Sequence, residues 1–306
     1  MSGSGRDVAF VTQYIRNLRG GSQPILARAS DGLLYVVKFN NNLQGANLPF
    51  NESAGTELYR ACGLAVPSWR PLMVSDAFLD RIPDCWMHTP EGRLRPESGM
   101  CFGSRFLGGD GIRLFEILPG TSFKRVRNRK NFWRAWLIDI CAGHTDNRQA
   151  VFQEDSEGRL DAFFIDHGHM FSGPKGDQRQ HFRASRYLDP RIYQSVSLQH
   201  RLGLYRTAET LDADRLWCRV DALPDDWKTP SAIENLAQCL GRLSTRRLIE
   251  GVVDTMVDSL PRKIDSDDCR HQYRRKPTAS VLHPGVQGGE RERLQAAPYA
   301  DHSAYA

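Results

Sequence analysis

The sequence feature that most constrains the fold is a pair of polar segments, each of which follows an apolar run. Residues 143–149 read GHTDNRQ and residues 164–169 read FIDHGH. Each segment puts one acid, Asp146 or Asp166, at the end of an apolar element. Between them, two short apolar runs flank a polar stretch that ends in Gly158, and this pattern predicts a hairpin. The hairpin would return the chain so that Asp146 and Asp166 lie near each other, at the same end of the hairpin.

Two neighbouring carboxylates are suited to catalyse phosphoryl transfer. One carboxylate can orient the attacking nucleophile and accept its proton, while the other holds Mg²⁺ against the phosphates. Mg²⁺ favours oxygen ligands and typically binds through one or two carboxylates plus phosphate oxygens. The pattern therefore predicts Asp146 and Asp166 as the acidic residues of such a site.

Phosphates also require a fixed cation, and Lys38 lies within the apolar run LLYVVKF at residues 33–39. An unpaired ammonium group is costly to bury, so Lys38 needs an acid or a ligand. Glu52, at the start of the next predicted helix, is the nearest acid that could pair with it. Strand alternation is equally compatible with the alternative, in which Lys38 points to solvent from a half-exposed strand.

The N-terminal segment predicts three antiparallel strands, at residues 8–15, 24–29 and 33–39, although the first could also form a short helix. Asp31-Gly32 predicts the turn between the last two strands, with positive φ at both positions. Gly20-Gly21-Ser22 lies in the loop between the first two strands, where it could present backbone N–H groups to phosphate oxygens. An ordinary flexible loop has the same composition.

The rest of the chain favours helices. Helical spacing of apolar residues predicts five of them, at residues 52–62, 131–142, 193–204, 231–241 and 245–260. Residues 100–107 are a further candidate strand, and Trp133 and Trp136 lie on an apolar helix stripe that indicates core. Strands first and helices later predict an α+β protein with two lobes. From Pro261 onward large apolar residues are scarce, which predicts a disordered tail.

The order of these parts resembles the protein-kinase-like fold: a strand lysine, a helix glutamate, an H-x-D segment and, after a short hairpin, a D-x-G segment. The details resemble the HipA-like kinases. The points of similarity are Asn51-Glu52 opening a helix, GLAVP at residues 63–67, TDNRQAVF at residues 145–152 and IDHGHMF at residues 165–171. The similarity spans about Gly20 to Pro174.

This resemblance implies a fold and an activity. It implies an antiparallel-sheet N-lobe at residues 1–107 and a mainly helical C-lobe at residues 108–260, followed by the tail at residues 261–306. The implied activity is ATP-dependent transfer of the γ-phosphate, with Mg²⁺, to a hydroxyl group of a protein Ser or Thr or of a small molecule.

The resemblance also implies roles for single residues. By position, Asp146 matches the catalytic aspartate, and His144 matches the structural histidine two places before it and is counted with it at the catalytic site. Asp166 matches the metal-binding aspartate, Lys38 the phosphate-binding lysine, and Glu52 the partner of that lysine. The glycine loop and the hinge that would meet adenine supply the other nucleotide-binding candidates, which are Gly21, Ser22, Arg105 and Phe106.

One position departs from the family pattern. An asparagine that binds the second metal usually follows the catalytic aspartate, but five places after Asp146 this chain has Val151. Gln149, or else Asn147, would have to supply an amide oxygen instead. If neither does, the chain would be a pseudokinase, a nucleotide-binding module without turnover.

A third hypothesis is a metal-dependent phosphohydrolase. His167 and His169 could join His144 and the two acids around Zn²⁺, Mn²⁺ or Fe. Histidines two places apart after a strand are more often packed or hydrogen-bonded than ligating, and this hypothesis leaves Lys38 unexplained.

Composition adds weaker constraints. The 306 residues carry a formal net charge of +5 and seven cysteines, none in a CxxC pair, so neither a disulfide framework nor a structural zinc site is indicated. The basic run from Arg125 to Lys130 is typical of a solvated surface, and no specific nucleic-acid binding is expected. No apolar run approaches the roughly 20 residues that cross a bilayer, and the first residues lack a secretory apolar core. We therefore expect a cytoplasmic protein without membrane contact.

Overall fold

The structure is a computed structural model that describes residues 8–109, 111–177, 185–193, 198–209 and 211–259. The tail predicted after Pro261 lies outside these ranges, as do residues 194–197 of the helix predicted from residue 193. Tyr193 itself ends a short 3-10 helix, Pro190–Tyr193. Within the described residues, no helix is both long enough and apolar enough to cross a bilayer. The six cysteines described there are all free thiols.

The described residues form ten strands and seven α-helices. The strands are β1 (Ala9–Asn17), β2 (Ile25–Ala29), β3 (Leu34–Lys38), β4 (Trp69–Val74), β5 (Met87–Thr89), β6 (Gly92–Leu94), β7 (Gly99–Arg105), β8 (Arg113–Phe115), β9 (Gln149–Glu154) and β10 (Leu160–Ile165). The helices are α1 (Leu48–Ala61), α2 (Asp76–Asp80), α3 (Asn131–Cys141), α4 (Leu198–Glu209), α5 (Ala213–Asp221), α6 (Pro230–Ser244) and α7 (Arg246–Asp258).

Five strands close into a barrel in the order β1-β2-β3-β7-β4. The first three pair antiparallel in chain order, β7 pairs antiparallel with β3 and β4, and β1 meets β4 in parallel. The three predicted N-terminal strands are therefore confirmed, and the first is a strand and not a helix. Branched and aromatic side chains from these strands fill the barrel interior.

The turn between β2 and β3 differs in detail from the prediction. Gly32 has a φ of 79°, but Asp31 is not among the residues with positive φ, so the expectation of positive φ at both positions was wrong. The Asp31 carboxylate accepts a hydrogen bond from the Leu33 N–H at 3.0 Å. This short side-chain bond replaces part of the backbone turn, as Asp commonly does.

Helix α1 begins at Leu48, four residues before the predicted start. Pro49 made its first turn look like a loop, but proline is tolerated at the first helical positions, where its missing N–H has no partner to lose. Sequence periodicity also missed α5, which Asp212 caps by accepting from the Arg215 N–H at 2.9 Å. The strand β4 was missed because Pro71 and Arg70 interrupt its apolar pattern.

A three-stranded sheet, β10-β9-β8, contains the predicted hairpin. In its register, Ile165 lies opposite Gln149, which places Asp166 beside the start of β9. Arg125 and Arg127 contact acids of this sheet, Glu154 and Asp161 respectively. The basic run before α3 thus packs on the hairpin.

The larger apolar cluster surrounds α3 and extends through α6 and α7. Trp133 and Trp136 are buried within it, as predicted. The strand-rich barrel and the helical remainder give the mixed α and β content that the sequence predicts.

Candidate active site

One cavity of about 460 Å³ collects most of the predicted site residues. Lys38 and Glu52 line it from the barrel strand β3 and helix α1, while Asp146, Gln149 and Asp166 line it from the hairpin and the loops beside it. The two acids and the ammonium group therefore share a single cavity, which the sequence prediction requires.

Lys38, Glu52 and Asp166 form what we call the open cluster. The Lys38 ammonium group donates to Glu52 Oε1 and, at 2.7 Å, to Asp166 Oδ1. The side chains of Lys38 and Glu52 are 8% and 2% exposed, whereas that of Asp166 is 23% exposed. The alternative of a solvent-facing Lys38 was therefore wrong, and Asp166 is the member of the cluster that retains access to the cavity.

The protonation states of the open cluster follow from burial and charge. Burial alone would lower the pKa of Lys38, but the carboxylates of Asp166 and Glu52 raise it above its ordinary value. Burial alone would raise the pKa of Asp166, but its ion pair with Lys38 brings it well below its ordinary value. Burial raises the pKa of Glu52, and Lys38 acts against this. Lys38 is thus a cation and Asp166 an anion across the neutral range.

Asp166 adopts a left-handed backbone conformation, which few residues other than glycine use. Its φ is 62°, in the left-handed region where a side chain other than glycine is strained, and such strain clusters at functional sites. Its second oxygen, Oδ2, accepts from the Gln149 amide nitrogen at 2.7 Å. Gln149 therefore lies beside the candidate metal ligand, but its amide nitrogen, and not the amide oxygen expected to bind a metal, faces Asp166. Val151 lines the cavity at the position where the family pattern has an asparagine.

Asp146 is half-buried in the cavity wall, and its carboxylate accepts from the Asn147 N–H at 2.7 Å. His144 does not reach the cavity. It is fully buried, and its Nδ1 lies 2.6 Å from the Asp146 carbonyl oxygen and 3.3 Å from the Asp146 backbone nitrogen. Burial and the charge of Arg148 lower the pKa of His144 to about 4. The expectation of His144 as a catalytic group is corrected: it fixes the backbone of Asp146.

A second set of buried polar side chains, the closed cluster of Tyr59, Asp139 and Arg148, adjoins the cavity. Arg148 is among the lining residues, but its side chain and that of Asp139 are fully buried. Arg148 donates Nε to Asp139 Oδ2 at 2.8 Å and Nη2 to Asp139 Oδ1 at 2.7 Å. The Tyr59 hydroxyl donates to Asp139 Oδ1 at 2.6 Å, and Arg148 Nη1 donates to the Ile165 carbonyl at 2.8 Å. The closed cluster therefore ties α1 and α3 to the two chain segments that contain Asp146 and Asp166.

Sequence analysis did not predict the closed cluster, although a signal was present. Asp139 interrupts the apolar run NFWRAWLIDIC of α3, just as Lys38 interrupts the apolar run of β3. A charge within a buried stripe needs a partner. The same argument applied to Asp139 would have predicted a buried cation nearby.

The glycine loop and the hinge are placed mostly as predicted. Gly20 and Ser22 line the cavity, but Gly21 does not. A Cβ at Gly21 would come within 2.8 Å of the Gln44 side chain, so its role as a nucleotide contact is corrected. Arg105 and Phe106 line the cavity wall, and their N–H groups donate to the carbonyls of Ser68 and Leu34.

The cavity is also lined by residues that sequence analysis did not single out for the site, among them Thr56, Phe102 and Leu114. Their types are those of ordinary core residues. No sequence signal marks them.

The histidine-rich metal centre of the phosphohydrolase hypothesis is not formed. Among the described residues, no group of three His, Cys, Asp or Glu side chains is placed to hold a metal ion. His167 packs on Tyr59 with ring centroids 4.5 Å apart, and His169 Nε2 lies 3.0 Å from the Gln44 amide nitrogen. The carboxylate oxygens of Asp166 and Asp146 fit instead the sparse oxygen donor set that Mg²⁺ uses together with phosphate.

The chain resembles solved kinase structures. No protein-family model matches the sequence, and no curated protein matches it. The Helicobacter pylori proinflammatory kinase CtkA matches with a TM-score of 0.50 and 12% identity, over 80% of this chain and 94% of that chain. The Golgi casein kinase matches with a TM-score of 0.49 and 12% identity, over 82% of this chain and 73% of that chain. Its Mn/ADP-bound structure matches with a TM-score of 0.45 and 12% identity, over 82% of this chain and 74% of that chain. The likeness to CtkA shows the fold alone: the chain has a kinase-like fold of mixed α and β content.

Proposed function

We propose that this chain is an ATP-dependent phosphotransferase that moves the γ-phosphate to a hydroxyl group. The observation that carries the proposal is the shared cavity of Lys38, Glu52, Asp146 and Asp166. A kinase-like fold alone would not suffice, because one fold hosts many functions and a function must be argued from the site.

Each residue of the site has a distinct task in this proposal. Lys38 binds phosphate oxygens, and Glu52 holds its ammonium group in place through their ion pair. Asp166, with the amide of Gln149 beside it, would hold Mg²⁺, which neutralises charge on the phosphates when bound. The adenine ring would lie against the hinge at Arg105 and Phe106.

Asp146 acts on the acceptor. As the hydroxyl oxygen attacks the γ-phosphorus, its proton passes to the Asp146 carboxylate. The bond between the γ-phosphorus and the bridging oxygen breaks at the same centre, and ADP leaves with the electron pair of that bond. The Asn147 N–H bond to Asp146 fixes the orientation of the carboxylate.

The finer identity is also part of the proposal. We infer a HipA-like kinase with two lobes, divided near residue 107, and a protein Ser or Thr as acceptor. The order of lysine strand, glutamate helix and two acidic loops supports the HipA-like identity. The separate apolar clusters of the barrel and of the helical part support the division into two lobes. The acceptor rests on the family resemblance.

Transfer from labelled ATP into a host lysate, read by mass spectrometry, tests the proposal. In Asp146→Ala, transfer should fall by about 10²–10⁴-fold, the usual contribution of a general base, while nucleotide affinity stays near that of the parent. Asp161→Asn, on the same hairpin but outside the cavity, is the matched control and should retain transfer. Parent-level transfer by Asp146→Ala would remove the catalytic assignment.

A second candidate function is a pseudokinase. It is favoured by Val151, which brings no oxygen to the position of the second metal ligand, and by Gln149, whose amide nitrogen faces Asp166. Thermal stabilisation by ATP with Mg²⁺, together with no ATP consumption and no autophosphorylation, would establish this function and exclude turnover.

A further inference from the structure

Asn51 is a buried polar residue to which the proposed chemistry gives no task. It lies on α1, its side chain is fully buried, and it is not among the residues that line the cavity. Its amide nitrogen donates to three backbone carbonyls, of Gly168 at 2.9 Å, Met170 at 2.8 Å and Gly173 at 3.1 Å. The two N–H bonds of one amide group therefore lie within hydrogen-bonding distance of three acceptors of the chain that follows Asp166.

Glu52, the next residue of α1, contacts the same segment, which we call the post-Asp166 loop (residues 167–176). Its carboxylate accepts from the N–H groups of His167 at 3.1 Å and Gly168 at 3.0 Å. Asn51 thus binds carbonyl groups of the loop, and Glu52 binds N–H groups of the same loop. The same carboxylate accepts from Lys38, so the loop and the ammonium group share one anchor.

The post-Asp166 loop needs such external bonds because its own backbone is strained. Phe171 and Ser172 have φ values of 54° and 64°, and like Asp166 they lack the freedom of glycine. Residues in this region persist only where the surrounding structure holds them. Buried carbonyls here would also be costly to leave unpaired, and the two N–H bonds of the Asn51 amide are shared among three of them.

Contacts from the chain between β3 and α1 extend this support. The Asn47 N–H donates to the Pro174 carbonyl at 3.0 Å. A Cβ at Gly45 would lie 2.4 Å from that carbonyl oxygen, so the two backbones are in close contact. Helix α6 also contacts the loop, where Asn235 donates to the Gly176 carbonyl at 2.9 Å.

We propose, resting on the phosphotransferase function, that Asn51 is a positioning residue: it fixes the post-Asp166 loop and so directs the Asp166 carboxylate toward the metal. The open cluster is then assembled in the unmodified chain. No phosphorylation of the chain and no partner is needed to bring Lys38, Glu52 and Asp166 together.

Asn51→Leu tests this with little change of volume, because leucine fills the space and removes the donors. Ser53→Ala is the matched control: Ser53 is equally buried on α1, but its hydroxyl donates to the Pro49 carbonyl within the helix. Amide hydrogen exchange of residues 167–173 should be about tenfold faster or more in Asn51→Leu, since buried acceptors lose their donor. Exchange there should stay near the parent rate in Ser53→Ala. Equal exchange in the two variants would overturn the proposal.

Magnesium dependence gives a second, separate readout. The Mg²⁺ concentration that half-saturates ATP binding should rise by about 10–100-fold in Asn51→Leu, the usual effect of losing a group that supports a metal ligand. Binding of ADP without Mg²⁺ should stay near the parent value. An unchanged Mg²⁺ requirement would mean that Asn51 does not position Asp166. If the parent binds no nucleotide, the proposed function fails, whereas the exchange experiment still decides whether Asn51 holds the loop.

Two further measurements complete the test. The first serves if Asn51→Leu does not fold, and the second tests whether the open cluster assembles in the unmodified chain. Asn51→Ser retains a shorter donor and should show an exchange rate between those of the parent and the leucine variant; parent-level exchange would contradict the role of the amide. Phosphatase-treated parent protein, shown by intact mass to carry no phosphate, should bind ATP with Mg²⁺ and protect the loop. Protection that requires phosphorylation would refute assembly in the unmodified chain.

Discussion

The open cluster and the closed cluster have similar chemistry but different access to solvent. Each contains a cation hydrogen-bonded to a buried carboxylate, Lys38 to Glu52 in one and Arg148 to Asp139 in the other. In the closed cluster both partners are fully buried. In the open cluster Asp166 remains 23% exposed toward the cavity.

This difference separates a structural ion pair from a functional one. A fully buried pair has its hydrogen bonds satisfied within the protein, and such pairs contribute little net stability compared with well-packed apolar residues, although removing one partner is destabilising. A buried cation beside a partly open carboxylate instead has charge available for a ligand. Substitutions in the two clusters test this distinction.

The largest effect is expected in the closed cluster. Asp139→Leu leaves the Arg148 guanidinium buried without its bidentate partner, and we expect the free energy of unfolding in urea to fall by about 3–5 kcal/mol. The double variant Asp139→Leu, Arg148→Met should recover part of this loss, because it removes both charges. A double variant less stable than Asp139→Leu would contradict this. It would show that Arg148 stabilises the fold mainly through its hydrogen bonds to the Ile165 and Asp166 carbonyls, and less through its ion pair with Asp139.

The next effect is a pH dependence centred on His144, which lies beside Arg148. Because burial lowers its pKa from 6.5 to about 4, the unfolded chain binds more protons than the folded one between these values. Stability is therefore fully present above pH 6.5 and falls as the pH drops toward 4. At about 1.4 kcal/mol for each pH unit in this window, the loss is about 3 kcal/mol.

Urea unfolding in EDTA at a series of pH values, with parent and His144→Phe, measures this term. The slope between pH 6.5 and 4 should be shallower in His144→Phe, which has no imidazole to protonate. His88→Gln, which changes an exposed histidine, is the control and should keep the parent slope. Identical slopes in all three proteins would mean that His144 is not held neutral.

A functional effect is expected in the open cluster. Lys38→Met removes the ammonium group that would bind phosphate, and ATP affinity should fall by about 10–100-fold, the range for losing hydrogen bonds from a charged donor. Tyr59→Phe, which removes one bond to Asp139 in the closed cluster, should leave ATP affinity unchanged. Calorimetric titration of both variants makes the comparison, and equal loss of affinity in the two would erase the distinction between the clusters.

Local signals explain what the sequence could predict. The hairpin between Asp146 and Asp166, the pairing of Lys38 with Glu52 and the three first strands each follow from alternation, turn residues or one misplaced charge. Each of these features depends on the residue types at its own positions. They therefore leave a trace in the sequence.

The remainder depends on contacts with backbone groups or with distant residues. Asn51 binds carbonyls more than 115 positions away. Because every residue has a backbone carbonyl, such an acceptor leaves no specific signal in the sequence. Tyr59 meets Asp139 across 80 positions and is otherwise an ordinary helix residue. The cavity lining includes Gly20 and Ser22 but not Gly21, and no local sequence pattern distinguishes these three positions.

The smallest effect is expected where a similar ion pair lies in water. Arg127 contacts Asp161 and, at 3.1 Å, Asp155, with 44% of its side chain exposed. Its donors face two carboxylates much as those of Arg148 face Asp139, but solvent screens the exposed charges, and holding the long side chain costs conformational entropy. Arg127→Ala should therefore leave both ATP affinity and the urea midpoint unchanged within error, at low and at high salt. If ATP affinity or the urea midpoint instead fell clearly at low salt and recovered at high salt, the surface charges of the hairpin would support the site. Solvent exposure alone would then no longer distinguish the functional ion pairs of this protein from those without effect.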